Sequence, residues 1–382
     1  MHVPGCPSSL RPSSAGPAAG PGRPAPSLGG RAARAHARDE LEVAMDAALL
    51  ADGVVQVEAV PDPEPGGWAL VQARAAGVCG TELHFIDGSI PPPTVPFVLG
   101  HEIAGVVVHA PEGSPVAEGT RVAVHNMVGC GSCRPCRMGR ESLCMDPVGQ
   151  LGFSLPGGFS DLVRVPAANL VPLPETVSFE TGALLACSGM SAVHACRLAG
   201  VGLGDVVVVD GMGGVGLMAL QVAVAAGARV IAVADDPARA ATALELGASD
   251  ALVVTGEDGY GALPDRVREI TGGWGADHFI ELVGTTATML AGIRLLGRGG
   301  KLVIIGYTSE EIRVHPIELI LSEIQVVTSV AASRRDLEAS LDLAAAGRLS
   351  PVIDTRYGLA DIGVALERLK ARQVQGRNVI VW

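Results

Sequence analysis

The segment that most constrains this chain is a glycine turn between an apolar run and an alanine-rich stretch. Val206–Asp210 leads into Gly211-Met212-Gly213-Gly214-Val215-Gly216, and Ala-rich sequence follows. A lone G-x-G-x-x-G is weak evidence. Between a strand and a helix it gains force, because glycines let a pyrophosphate approach the free backbone N–H groups at the helix start. Val206 to Ala234 carries few charges over a length that would span a bilayer. Asp210, Arg229 and the glycines divide it into apolar run, turn, amphipathic segment and second apolar run, so it reads as strand, turn, helix and strand rather than a membrane span.

The same grammar continues. From about Phe179 to Val330, apolar runs beginning at Val206, Arg229, Ala251, His278, Lys301 and Ile324 alternate with helical segments, which predicts six parallel strands in a doubly wound α/β sheet. From Ala48 to about Pro172, short Val-rich runs (Val54–Val60, Trp68–Ala75, Ile103–Val108, Gly119–Val124) alternate with Gly and Pro turns, the pattern of a β-rich region. Helical segments Arg335–Ala345 and Asp361–Ala371 and a closing strand Asn378–Trp382 are expected to return to that region. A length of 382 residues favours two domains. The expected division is 45–178 with 331–382, and 179–330. Residues 1–44 are rich in Pro, Gly, Ala and Ser, with five arginines against three acids, and are expected to be a disordered extension. They lack the apolar core of a signal peptide. Met45 is expected to stand just before the first strand and to be a candidate start.

Forty acids against 28 Lys and Arg give a formal charge of −12, which repels phosphate backbones and excludes nucleic acid as the expected partner. Eight cysteines are too few for a disulfide scaffold of this size. Six sit in motifs that read as metal sites, so a reducing, cytoplasmic compartment is expected.

Cys130, Cys133, Cys136 and Cys144 form C-x-x-C-x-x-C-x7-C in a loop, residues 129–145, punctuated by Gly129, Gly131, Pro135 and Gly139. Four thiolates complete a tetrahedral zinc shell with no position for substrate, so this site is read as structural. An iron–sulfur cluster and a chance clustering of free thiols are the rivals. Arg134, Arg137 and Arg140 beside it are read as aiding the thiolates or as solvated surface. Cys79, His101 and Cys187 come from three other segments. Two thiolates and an imidazole leave a fourth position free, as a Lewis-acid zinc requires. Each motif alone is weak, since a buried Cys is more often a small core residue.

The order Gly77-Val78-Cys79-Gly80-Thr81-Glu82-Leu83-His84, Gly100-His101-Glu102, the four-cysteine lobe, then Cys187 ahead of the glycine turn closely resembles zinc-containing medium-chain alcohol dehydrogenases, over roughly Ala48 to Trp382. The resemblance implies a GroES-like catalytic domain beside a Rossmann domain, two zincs per chain, and hydride transfer between a primary, secondary or polyol alcohol and NAD(P) in a homodimer or homotetramer. It implies that Cys79, His101 and Cys187 hold the catalytic zinc, with Glu102 an alternate ligand. Thr81 and His84 fall where the family places its proton relay. An alcohol that loses hydride also loses its hydroxyl proton, and a hydroxyl leading to a solvent-facing imidazole can carry it. Glu82 stands where Asp is more familiar and is expected to accept a hydrogen bond from His101.

Asp235 lies 19 residues beyond Gly216, where an acid receives the adenosine ribose. Alignment from Leu246-Gly247-Ala248 places Ala234 there instead. Asp235 and Asp236 repel a 2′-phosphate, whereas Arg239 attracts one or contacts the ribose, and the expectation is NAD over NADP. Gly306, with Val283-Gly284, is expected beside the nicotinamide, and Arg377 near the pyrophosphate. Loops around Phe85, Phe153, Phe159 and Met190 are expected to shape the substrate pocket, and Cys196 to be packed. Zinc-free enoyl or quinone reductases are disfavoured by the Cys79, His101 and Cys187 set, and a catalytically silent cofactor-binding protein would show a defective one.

Overall fold

The computed structural model describes residues 44–382, so the expected extension lies outside the described residues apart from Ala44. Ala44 opens the first strand, Ala44–Ala51, which pairs antiparallel with Val54–Pro61. Met45 pairs with Val60 and is therefore inside the strand rather than ahead of it. The alternation that marks a half-buried strand is weak here, because four alanines and two leucines supply most of the side chains.

The hub of the first half is Ala69–Val78, antiparallel to Glu102–His109 along one edge. Leu162–Val165 covers the first part of the other edge, and Arg377–Val381 covers the second. Ile353–Tyr357 runs parallel to Arg377–Val381, so the end of the chain returns to this sheet. Helix Arg334–Ala345 does not take part in that return. Its Leu337 and Leu341 join the core of Val207, Val209 and Leu217, and the chain re-enters the antiparallel sheet only at Ile353, later than the expected residue 331.

Six parallel strands form the second sheet: β1 (Val206–Asp210), β2 (Arg229–Ala234), β3 (Asp250–Val253), β4 (Ala276–Glu281), β5 (Leu296–Ile304) and β6 (Gln325–Thr328), in the order β3-β2-β1-β4-β5-β6. The order reverses beside β1, the switch point at which such sheets bind dinucleotides. Val207 and Val209 face one helical layer, and Val208 faces the other, that of Leu263, Val267 and Ala291. Burial on both faces explains the near-continuous valine run. Phe279 is wholly buried, and its truncation to Ala should destabilise by roughly 3–5 kcal/mol. β5 begins ahead of the expected Lys301. Its first pair, Ala276 with Leu296, is followed by a register shift to His278 with Lys301, and Gly297, Gly299 and Gly300 conceal the extra residues in the sequence.

The antiparallel sheet carries the site at one end. Gly77 pairs with Glu102, and Val78 with Asn378. Cys79, Glu102 and Arg377 therefore emerge from three neighbouring strands at one place.

Candidate metal centres and dinucleotide cleft

Cys79 leads into helix α1 (Gly80–Ile86). Its backbone N–H donates to Glu82 Oε2 at 2.9 Å, while Glu82 Oε1 lies 2.8 Å from His101 Nδ1. One carboxylate thus fixes two side chains in place. The expected Glu82–His101 bond is present, and the longer arm uses its second oxygen on the backbone of Cys79. With Nδ1–H donating to Glu82, the lone pair of His101 is on Nε2.

Cys187 sits on a π-turn, Leu185–Gly189, set between helices Phe179–Leu184 and Met190–Ala199. Such one-turn bulges collect at functional sites. The ligand atoms of Cys79, His101, Glu102 and Cys187 all lie within 4.8 Å of one another.

The electrostatics of this group call for a cation. Contact with Cys187, then the Arg377 and His101 charges, lower the Cys79 thiol against its burial. Contact with Cys79 and burial raise that of Cys187. Burial raises Glu102 to about 7, even with Arg377 beside it. Burial also works against charge on His101, but the Glu82 and Cys79 charges outweigh it and raise the imidazole. A dication inverts this pattern by stabilising thiolates and neutral imidazole together. Two sulfurs, one imidazole nitrogen and a buried carboxylate fit zinc.

Arg377 was expected in the cofactor cleft, and the structure places it at the metal cluster as well. Its Nη2 lies 3.1 Å from Glu102 Oε1 and 3.3 Å from Cys79 Sγ, whereas a Cβ built on Gly214 would stand 2.7 Å from its Nε. The guanidinium therefore spans the seam between the cluster and the glycine turn. Nothing in the sequence signals this contact, because Cys79 and Arg377 are 298 positions apart.

Thr81 Oγ1 lies 3.6 Å from Cys79 Sγ. His84 is one turn further along α1 and half-buried, with its ring 5.7 Å from that of Tyr307. Phe153 packs 5.1 Å from the His101 ring and meets Phe85 edge-on. Phe85, Phe159 and Met190 are core residues at 3%, 0% and 2% exposure, so of the four expected pocket residues Phe153 alone is partly exposed.

The four thiols of the lobe also lie within 4.8 Å of one another. The Cys130 N–H donates to Cys144 Sγ at 3.2 Å and the Cys133 N–H to Cys130 Sγ at 3.3 Å, the support a thiolate cluster needs. The Ser132 hydroxyl and backbone N–H groups lower Cys130 to about 6, while burial and neighbouring thiols push Cys136 to about 12. Strands Met127–Val128 and Gly149–Gln150 clamp the base of the loop. Cys196 is buried, as expected of a packed thiol.

At the glycine turn, Gly211 has φ +99° and a Cβ on Gly216 would overlap its carbonyl oxygen. Gly213 caps helix α2 (Gly214–Ala225) with no side-chain bond to the first N–H groups, and a Cβ there would meet nothing within 4 Å. The start of α2 is thus open in front of Gly213 and flanked by the Arg377 guanidinium at Gly214, a cradle suited to phosphate. Asp235 follows β2 and is exposed. Arg239 pairs with both Asp235, at 3.4 Å, and Asp236, at 3.1 Å, so two carboxylates already neutralise it. Gly306 packs against Gly284, where a Cβ on Gly306 would stand 2.5 Å from the Gly284 nitrogen.

Sequence reasoning missed a second acidic feature. Asp210 and Glu281 are in-register neighbours on β1 and β4, wholly buried, each with one oxygen that has no partner. Tyr260 donates to Asp210 at 3.0 Å, yet burial lifts the Asp210 carboxyl to about 7.

Residues 65–175 match the family description "Alcohol dehydrogenase GroES-like domain", and residues 214–346 match "Zinc-binding dehydrogenase". An alcohol dehydrogenase of Moraxella sp. (strain TAE123) is 35% identical over 330 residues, 85% of this chain and 95% of the relative. An acryloyl-coenzyme A reductase of Metallosphaera sedula is 31% identical over 332 residues, 85% of this chain and 96% of the relative. The crystal structure of an alcohol dehydrogenase from Aeropyrum pernix superposes with a TM-score of 0.81 at 30% identity, covering 88% of this chain and all of the other. With both halves matched in order, and metal-ligating side chains gathered beside a dinucleotide sheet, the chain belongs to the zinc-type medium-chain dehydrogenase/reductase family.

Proposed function

We propose that the chain transfers hydride between an alcohol and NAD, giving the aldehyde or ketone. The observation that carries this reading is the convergence of Cys79, His101 and Cys187, with Glu102, next to the glycine cradle, with Arg377 touching both. Zinc held by Cys79, His101 and Cys187 would supply Lewis-acid stabilisation of the charge that develops on the substrate oxygen. The rest falls to the chain. The Thr81 hydroxyl takes up the alcohol proton as it passes its own outward, and His84 releases a proton to solvent. Gly211, Gly213, Gly214, Val215 and Gly216 cradle the pyrophosphate, and Gly306, packed on Gly284, offers its backbone to the nicotinamide at the sheet edge. Glu102, paired with Arg377, is an alternate ligand. Cys130, Cys133, Cys136 and Cys144 hold a second, structural zinc. Asp235 takes the adenosine ribose, and the pairing of Arg239 with two carboxylates favours NAD over NADP.

The seven cysteines among the described residues are free thiols, in keeping with a reducing cytoplasm. No described helix is long and apolar enough to cross a membrane. The edge strand β6 and its flank expose Ile317, Ile320, Leu321, Val326 and Val330, which supports a homo-oligomer.

The test is zinc per chain on protein as isolated, paired with NADH and NADPH formation on a panel of primary, secondary and polyol alcohols. Two zincs with NADH formation support the reading. One zinc with no turnover on any alcohol would leave a cofactor-binding protein with only its lobe loaded.

A further inference from the structure

We propose that Tyr307 is the positioning residue for His84, setting the direction of its imidazole from across the cleft. The inference rests on the reading of His84 as the outer end of the proton path.

Tyr307 leaves the carboxyl end of the parallel sheet directly after Gly306, and its exit is fixed. A Cβ on Gly284 would lie 2.6 Å from the Tyr307 Cα, and the Thr308 hydroxyl donates to the Gly284 carbonyl at 2.8 Å. From that anchored point the Tyr307 ring reaches α1 on the other half of the molecule. It sits 5.7 Å from the His84 ring at an interplanar angle of 33°. The tyrosine is 64% exposed, so its place against His84 is not the by-product of burial in a core.

His84 and Lys370 both act on the Asp87 carboxylate at the end of α1, and the His84 ring makes no hydrogen bond to a described residue. Packing therefore sets its direction. A proton carrier needs one nitrogen turned toward its donor and the other toward water. An imidazole on the first turns of a surface helix has several rotamers to lose before it meets that condition. An aromatic ring laid against it removes the unproductive ones and leaves both nitrogens unbonded. No polar side chain in the same place would do so, since it would occupy a nitrogen that the proton needs.

The experiment uses zinc-loaded holoenzyme in four forms, Tyr307→Ala, Tyr307→Phe, His84→Ala and the Tyr307→Ala/His84→Ala pair. Steady-state rates, NADH binding by nicotinamide fluorescence, and the Cε1–H resonance of His84, assigned by its loss in His84→Ala, are recorded for each. The expected result is a kcat loss of about threefold to tenfold in Tyr307→Ala, matching the energy of an aromatic pair. The alcohol KM and NADH Kd stay within about twofold, Tyr307→Phe behaves as the parent, and Tyr307→Ala adds no further loss once His84 is absent. The His84 resonance moves in Tyr307→Ala and stays in Tyr307→Phe. Additive losses in the double variant, a Phe variant as impaired as Ala, or an unmoved resonance would each overturn the role of Tyr307 while leaving the proton path intact. A His84→Ala enzyme with unchanged kcat would instead remove the proton path, and the Tyr307 role with it.

Discussion

Arg377 Nη2 lies 3.1 Å from Glu102 Oε1 in a place where Glu102 is wholly buried and Arg377 is 7% exposed. Removing one partner of such a pair leaves a charge without water or counter-ion, typically a loss of about 3–5 kcal/mol. Arg377→Gln should therefore lower the melting temperature markedly and weaken NADH binding. Adding Glu102→Gln should restore much of the melting temperature but not the affinity. Calorimetry and fluorescence titration separate the two effects, and a double variant no more stable than Arg377→Gln would rule out the pair as the cause.

Glu82 orients His101 and bonds the Cys79 backbone, so it would act on a bound zinc without belonging to the four-residue cluster. Glu82→Gln should reduce zinc affinity at this centre by roughly 10–100-fold. Competition with a chelator should release one zinc early and the lobe zinc late. Simultaneous release in variant and parent alike would contradict the assignment.

The proposed preference for NAD rests on Asp235 and the two-sided neutralisation of Arg239. Asp235→Ser removes one carboxylate and leaves Arg239 with a single partner. The ratio of kcat/KM for NAD to that for NADP should fall by about tenfold, the worth of about 1.4 kcal/mol. An unchanged ratio would place the ribose elsewhere.

Asp210 predicts a pH signature of stability. Its carboxyl titrates at about 7 in the folded chain, above the unfolded value of about 3.9. A group with a raised folded value contributes stability that is full below the unfolded pKa and lost as pH rises through the folded one. Burial of Glu281 shifts that acid the same way. Asp210→Asn keeps a partner for Tyr260 and removes the titration. Urea unfolding should show the variant gaining on the parent by a few kcal/mol between about pH 4 and pH 8, with no gain at the acid end. A gain equal at both ends would point to packing instead.

Features set by local sterics were legible in the sequence. Gly216 must approach the Gly211 carbonyl, four cysteines at short spacing must meet, and the valine run of β1 must be buried on both faces. Features set by register between distant strands were not. Arg377 reaches Cys79 because Val78 pairs with Asn378, and no local pattern near either residue announces it. Asp210 and Glu281 each look like a strand-end acid, and only their parallel pairing makes them a buried couple. The aromatic residues misled for a related reason. Phe85 is next to His84 in sequence, but helix α1 turns it into the core, where it joins Phe159.

The π-turn at Cys187 has a geometrical meaning of its own. Each residue advances an α-helix by about 100°, so a widened turn rotates everything after it relative to everything before. Ahead of the turn, Ala183 packs with Ala75, Ala104 and Val379 of the antiparallel sheet; beyond it, Met190, Ala192 and Ala195 pack into the core beneath the parallel sheet. One continuous helix thus faces two partners in two phases, and Cys187 stands at the change of phase. Deleting a single residue there would regularise the helix and force a choice: either the thiol turns away from Cys79 and His101, or the two sheets lose their common axle.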